Sequence, residues 1–209
     1  MTALLIVGAG GHGKVVADTA SAMARWQEFA FLDDVRCSDV FDRWPILGRI
    51  DSIASHRDQY SDVVVALGDN WLRLLRLQEF RELGFALPPV IHPTASVSDT
   101  AILGDGTVVF AQAVVGCDST IGLGGIVNTG ATVDHDCHLG DGVHISPGAH
   151  LAGGVRVAAR AWVGIGATVI QSIRVGENAT IGAGAVVITD VKSNNTVAGN
   201  PARVVKGHC

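Results

Sequence analysis

The stretch "GATVDHDCHLGDGVHISPGAHL" (residues 130–151) decides how this chain folds. Val133, Leu139, Ile145 and Leu151 recur at every sixth residue. Upstream the same rhythm runs through Ile91, Val97, Leu103, Val109, Val115, Ile121 and Val127. Downstream it continues through Val157, Val163, Val169, Val175, Ile181 and Val187, so that all seventeen positions are aliphatic. Four residues after most of them stands a small residue: Ala95, Ala101, Ala113, Ser119, Gly125, Ala131, Ala149, Ala161, Ala167, Ala179 and Ala185. A period of six sustained this long is the signature of a hexapeptide-repeat β-solenoid. Each hexad makes one side of a triangular coil, with the aliphatic residue inward and the small residue at the turn. Residues 18 apart then stack at a spacing of about 4.7–4.9 Å, and the five to six coils form a prism on the order of 27 Å tall.

The first 88 residues keep a different rhythm. "ALLIV" (3–7), "FAFL" (29–32) and "DVVVAL" (62–67) read as buried strands. "HGKVVADTASAMARW" (12–26) and "NWLRLLRLQEFRELG" (70–84) have helical spacing, the second ending on Gly84. Strands alternating with helices imply parallel βαβ units. The sequence therefore predicts an α/β Rossmann-like domain over 1–88, a parallel β-helix over 89–191 and a tail over 192–209, with "PPV" (88–90) at the first boundary.

The solenoid period separates a histidine-rich run that otherwise resembles a metal nest. His138, His144 and His150 each immediately precede an inward aliphatic residue, so they point outward on three different sides of one coil and cannot share an ion. Cys137 takes the small turn position and is expected to be buried. The spacing fits no zinc signature, and no protein-bound metal is expected. His138 and His150 read as solvated surface residues. His135 differs: it lies two residues after Val133, flanked by Asp134 and Asp136, with Cys117 one coil below and Gly153 one coil above. A glycine stacked there leaves room for a ligand. A neighbouring carboxylate raises imidazole basicity and fixes the tautomer, as a general base near neutral pH requires. His135 and His144 lie on different sides, so they can cooperate only between prisms packed together, as in a threefold trimer.

"GAGGHG" (8–13) fits G-x-G-x-x-G after a strand and before a helix, with Asp33 and Asp34 about 20 residues on. Backbone N–H groups at a helix N-terminus suit a phosphate, and the acids suit ribose or base edges. A front domain of this size suits a mononucleotide or nucleotide sugar better than a dinucleotide; glycines serving only tight strand–helix packing are the alternative. Composition narrows the classes further. The chain has 209 residues, is 48% hydrophobic and carries a net charge of −5 without charged blocks. Its only lysines are Lys14, Lys192 and Lys206. Nucleic-acid and membrane binding by charge are not expected. No membrane span or signal segment is expected at the N-terminus. Cys37, Cys117, Cys137 and Cys209 form no CxxC and read as reduced thiols of a cytoplasmic protein.

Together "IVGAGGHGKVVAD", "FLDD", "ALGDN", "NTGATVDHD" and "VAGNPARVVK" resemble, in order and over essentially the whole chain, the bacterial sugar O/N-acyltransferases. That family includes bacillosamine-pathway and perosamine-type nucleotide-sugar N-acetyltransferases and sialic acid O-acetyltransferases. The resemblance implies left-handed β-helices, a homotrimer with active sites between subunits, acetyl-CoA as donor and a role in glycan biosynthesis. It implies that His135 is the base and that Asp136, where relatives often carry Glu, tunes it. It further implies that Gly11, His12, Gly13, Asp33, Asp34, Gly68, Asn70 and Asn128 lie on the acceptor side. His144, Gly153, Ile165, Ala183 and Pro201 would lie along the donor.

The expected reaction is direct acetyl transfer to the amine of a nucleotide-linked amino sugar. Transfer to a hydroxyl of sialic acid or another sugar is the alternative within the family. An NAD-dependent oxidoreductase, a metal-dependent hydratase on the same repeat and a non-catalytic scaffold are the readings from other classes.

Overall fold

A computed structural model describes residues 2–36, 40–41 and 43–206 of the chain. Cys37 and Cys209 lie outside the described residues, while Cys117 is an exposed free thiol and Cys137 a buried one. The front domain begins with β1 (Ala3–Val7), α1 (Gly11–Ala22) and β2 (Glu28–Leu32). It continues with β3 (Val40–Phe41), β4 (Trp44–Gly48), a 3-10 helix (Ile50–His56), β5 (Asp62–Val65) and α2 (Asn70–Glu82). The sheet order is β3-β4-β2-β1-β5, all parallel except the β3–β4 hairpin. The three strands and two helices read from the sequence are present, and β3 and β4 are additions. The mixed composition of "WPILG" carries no clear strand rhythm. Among the described residues, no helix is long and apolar enough to cross a membrane.

The hexads form a left-handed parallel β-helix, built from seventeen two-residue strands between Val90–Ile91 and Val186–Val187. Pairing joins residues 18 apart, as in Val115↔Val133 and Val133↔Leu151. From Val109 upward every inward aliphatic position is buried, whereas Ile91, Val97 and Leu103 at the lower end are half-buried. Cys137 fills its small corner as expected, fully buried with its Sγ 3.3 Å from the Ala152 carbonyl.

From Gly106 to Gly184 each corner turns through a left-handed residue three positions after the inward one. The series Gly106, Gln112, Asp118, Gly124, Gly130, Asp136, Gly142 and Gly148 continues to Gly184 with φ between 55° and 71°. Glycine, asparagine and aspartate tolerate that conformation best, so the abundance of glycine follows from the corners.

One boundary differs from the sequence reading. The helix does not stop at residue 191, because Thr196–Ala198 pairs in parallel with Thr180–Ile181 and extends the first face. The front domain is also not a separate globule. Leu4 and Ile6 of β1, together with Val16 and Ala17 of α1, share one core with Val90, Val108, Phe110 and Ile126 of the prism. The opposite side of β1, with Ala3, Leu5 and Val7, packs on Leu77 and Phe80 of α2.

Helix α2 seals the seam. Its Leu77 and Leu74 press so close to the corners at Gly106 and Gly142 that an added β-carbon would fall 2.6 and 2.7 Å from their methyls. Arg73, 1% exposed, donates to the carbonyls of Gly124 (2.8 Å), Gly142 (2.8 Å), Leu67 (2.9 Å) and Gly68 (3.3 Å), and to Asn70 Oδ1 (2.8 Å). Burial lowers the guanidinium to about 10, and the field of Asp69 acts in the opposite direction. It therefore stays charged at neutral pH, held by carbonyl dipoles and not by a carboxylate. Arg73→Met strips donors from buried carbonyls at about 1–3 kcal/mol each and is expected to lower unfolding stability by roughly 3 kcal/mol. Urea denaturation measures this, with Arg73→Lys expected to fall between the two.

Candidate functional site

His135 sits on the corner between the face carrying Thr132–Val133 and the face carrying His138–Leu139. The next residue, Asp136, takes the left-handed corner conformation with φ 58°, which turns its carboxylate back toward the ring. Asp136 Oδ2 lies 2.8 Å from His135 Nδ1. A carboxylate only accepts, so Nδ1 carries the proton and Nε2 keeps its lone pair. That hydrogen bond, reinforced by the charge of Asp134, raises the imidazole above its ordinary value. The ring is exposed and lies against Gly153, where any β-carbon would overlap it. The Gly154 N–H bonds the His135 carbonyl at 2.9 Å, while the Gly153 N–H has no partner among the described residues.

A second centre lies at the seam. The Gly8–His12 loop, Asp33, Arg36 and the Ala66–Gly68 segment line a cleft of about 380 Å³. Gly11 and Gly68 face open space, whereas Gly13 packs against the Gly8 carbonyl. Burial raises the Asp33 carboxyl, but hydrogen bonds from the Ala9, Arg36 and Val35 N–H groups outweigh it and hold the group below its ordinary value. Those bonds, 2.6–2.8 Å long, make Asp33 a brace for the glycine loop. Asp34, read as an acceptor contact, turns away and accepts from the Ile50 N–H at 3.1 Å, beside Arg49. Asn70, read in the same way, spans the seam and donates to the Arg160 carbonyl at 3.0 Å. Arg36, which the motif reading missed, bonds the Ala9 carbonyl at 2.6 Å and lies over the Phe41 ring, bringing positive charge to the cleft.

His144 points outward from the prism, as its position requires, yet it is buried because the front domain covers that face. Its Nε2 is 3.3 Å from Asn128 Nδ2, and its Nδ1 is buried without a partner. The His144 ring stacks on Trp162 at 5.6 Å and 3°, and Trp162 Nε1 donates to Ser146 Oγ at 2.7 Å. His12 lies 6.4 Å from His144 and edge-on to Phe110, with its Nε2 also buried and unpaired. Burial, with help from Arg73, pushes His12 down to about 4. Burial first, then Arg73 and His12, pushes His144 to about 3. Both are neutral imidazoles that can exchange hydrogen bonds with a ligand in the seam.

Ile165 and Ala183 are exposed and stack on a third element, the corner between the Trp162–Val163 and Thr168–Val169 faces. Pro201 is exposed and follows a cis peptide bond near the top of the prism. The structure thus unites His12, Asn128 and His144, and separately His135, Asp136 and Gly153. The two groups occupy different parts of the triangle. No group of three or more metal-ligating side chains occurs among the described residues. His138 and His150 are exposed, as expected.

Residues 3–80 match the family model described as the PglD N-terminal domain. The chain is 38% identical over 117 residues to UDP-N-acetylbacillosamine N-acetyltransferase of Bacillus subtilis (strain 168), a match spanning 53% of this chain and only 52% of that relative. It is 46% identical to the acetyltransferase domain of PglB from Neisseria gonorrhoeae FA1090, solved with acetyl coenzyme A. That match has a TM-score of 0.95 and covers 97% of this chain and 98% of the other. It is 38% identical to a histidine-to-asparagine variant of perosamine N-acetyltransferase from Caulobacter crescentus, solved with CoA and GDP-perosamine. Here the TM-score is 0.94, with coverage of 100% and 98%.

The three histidines are expected to separate in an NMR titration. His135 should take its proton above the ordinary pH, and Asp136→Asn should move that transition down, whereas His12 and His144 should stay neutral to well below pH 6. The linkage has a definite sign. Unfolded imidazoles bind protons near 6.5, but His12 and His144 bind them only near 4 and 3 in the fold. The unfolded state therefore binds more protons across that window, and stability falls as pH drops from about 6.5 to about 4. Urea midpoints at pH 7 and pH 4.5 measure it.

Proposed function

The chain belongs to the bacterial sugar N-acyltransferases, and on that premise we propose that it is an acetyl-CoA-dependent acetyltransferase. Its acceptor is the amine of a nucleotide-linked amino sugar. The observation that carries the chemistry is the His135–Asp136 pair: Nδ1 held at 2.8 Å by the carboxylate, with Nε2 free beside Gly153, where a β-carbon would overlap the ring as it stands.

The acceptor amine attacks the thioester carbonyl and forms the new C–N bond, while His135 Nε2 takes the amine proton. Negative charge developing on the carbonyl oxygen is met by the Gly153 N–H. The C–S bond then breaks, and the imidazolium returns its proton to the departing thiolate. Asp136 stabilises the imidazolium between these two transfers. No covalent enzyme intermediate is required. The buried Cys137 thiol, raised chiefly by desolvation, is unsuited to forming one.

The nucleotide end of the acceptor belongs in the glycine-loop cleft, where the N-terminus of α1 and Arg36 suit a diphosphate. The sugar then reaches toward His12, Asn128 and His144 in the seam. That places the acceptor on a different part of the prism from His135, so a productive site takes its base from a neighbouring copy. A homotrimer supplies three such sites, with Ile165 and Ala183 of one subunit facing the His135 corner of the next. The acyl-donor chemistry suits a cytoplasmic enzyme serving glycan biosynthesis.

Incubating the protein with acetyl-CoA and a panel of nucleotide amino sugars, followed by product mass, tests the reaction. No product from any acceptor, with CoA binding also absent, would sink it. His135→Ala is expected to lower kcat by at least about 10²-fold while leaving the oligomer intact. Mixed oligomers of His135→Ala and Asn128→Ala subunits should recover activity that neither variant has alone. If the mixture stays inactive, the site does not lie between subunits.

A further inference from the structure

An amine can attack a thioester only after losing its extra proton. A sugar amine flanked by oxygen-bearing carbons titrates like an α-amino group, at about 8, so at pH 7 roughly nine in ten acceptor molecules are ammonium ions. An ammonium has no lone pair. His135 takes one proton during the attack, and a single imidazole cannot take two. The first proton therefore has to leave as the acceptor binds, and the charges around the amine decide how readily it goes.

The seam into which the sugar reaches is built on a cation. Arg73 is buried at its floor, with all three guanidinium nitrogens committed to backbone carbonyls and Asn70 Oδ1. Among the described residues no carboxylate pairs with Arg73, His12 or His144. The acids nearby are engaged elsewhere. Asp69 caps α2 by accepting from the Leu72 N–H at 2.8 Å, and its field helps Arg73 keep its charge. Glu79 pairs with Arg76 on the outer side of the helix, and Glu177 with Arg160 on the prism. In the cleft, Asp33 is taken up by backbone N–H groups, with Arg36 beside it. His12 and His144 bring buried ring nitrogens without partners, and the field of Arg73 already acts against a proton on either ring. An ammonium beside these rings meets the same field. The carboxylates that oppose it, Asp134 and Asp136, stand on the exposed His135 corner, where water screens them and Asp136 is bonded to the imidazole.

We propose that Arg73 makes the seam select the neutral amine of the acceptor, so that an ammonium gives one proton to solvent as it binds. This rests on the acyl-transfer reading and adds the step that precedes the attack. A cation without a counter-ion in a dry site disfavours a second positive charge, and does so more strongly than in water. The same effect activates lysine amines placed beside another cationic group. The protons then balance: the first leaves to solvent on binding, and the second goes to His135 Nε2 as the C–N bond forms. From there it passes to the departing thiolate. Arg73 acts through its charge and joins in no bond making, so it is a positioning residue.

Calorimetry of acceptor binding in buffers of different ionisation enthalpy counts the protons released. The probe is the nucleotide amino sugar that the acceptor panel identifies, bound to protein loaded with CoA, which carries no acetyl group to transfer. The control is the same nucleotide sugar with a hydroxyl in place of the amine. At pH 7 the wild type is expected to release about 0.9 proton with the amine and none with the hydroxyl compound, and Arg73→Lys to behave similarly. Arg73→Met should release less than half as much. It should also bind the amine more tightly relative to the hydroxyl compound, by a factor approaching about tenfold, while the acid limb of its kcat profile moves up by about one pH unit. Should Arg73→Met not fold, Arg73→Gln removes the charge and keeps a donor, and the wild-type proton count stands on its own. A merely structural role weakens both compounds alike and leaves the proton count and the acid limb in place. That outcome overturns the proposal, as does a wild-type protein that releases no proton. If no amino sugar in the panel is bound or acetylated, it is the acyl-transfer reading itself that falls.

Discussion

Three inward aliphatic residues per coil, their backbones hydrogen-bonded to strands 18 residues away, fix the corner or face that every residue beyond Val90 occupies. A slip of one residue would turn a buried valine outward and bring a polar side chain into a dry core. The register is therefore rigid. From it follow the stacking of His135 under Gly153 and the left-handed corner at Asp136. The alignment of Gly106, Gly124 and Gly142 beneath helix α2 follows as well. The chemistry needs a fixed imidazole beside a backbone without a side chain, and the solenoid supplies both through one repeat.

The second constraint is the seam. A cation with no carboxylate partner sits there because four carbonyls of loops and corners and the Asn70 side-chain oxygen converge on its fork. Arg73 ties the Leu67–Gly68 loop, one wall of the glycine-loop cleft, to the Gly124 and Gly142 corners of the prism. Its charge also helps keep His12 and His144 neutral. One side chain thus couples the shape of the cleft, the docking of α2 and the protonation of the seam.

The parts of this arrangement legible in the sequence are those governed by period. The seventeen inward positions, the buried Cys137 and the pairing of His135 with Gly153 all follow from counting by six. The Asp136 contact was legible from adjacency, although the left-handed corner that delivers it was not. Features created by docking were hidden. His144 reads as outward, and nothing local signals that the front domain covers it. Arg73 lies in an amphipathic helix where arginine ordinarily faces water, and only the approach of two glycine corners buries it. Asp34 is placed by the motif spacing as well as by resemblance and Asn70 by resemblance alone, and the folded chain uses their side chains to join segments.

The core shared between β1, α1 and the lowest coils bears on how such a protein changes substrate. Leu4 and Ile6 lie in one apolar cluster with Val108, Phe110 and Ile126, so neither part of the chain is a self-contained module. A transplanted front domain would arrive with half of an interior and leave the other half exposed to water. New acceptor preferences are therefore more accessible by point substitution in the cleft lining than by recombining whole domains. Lineages of this architecture should show the front and lower-coil residues changing together.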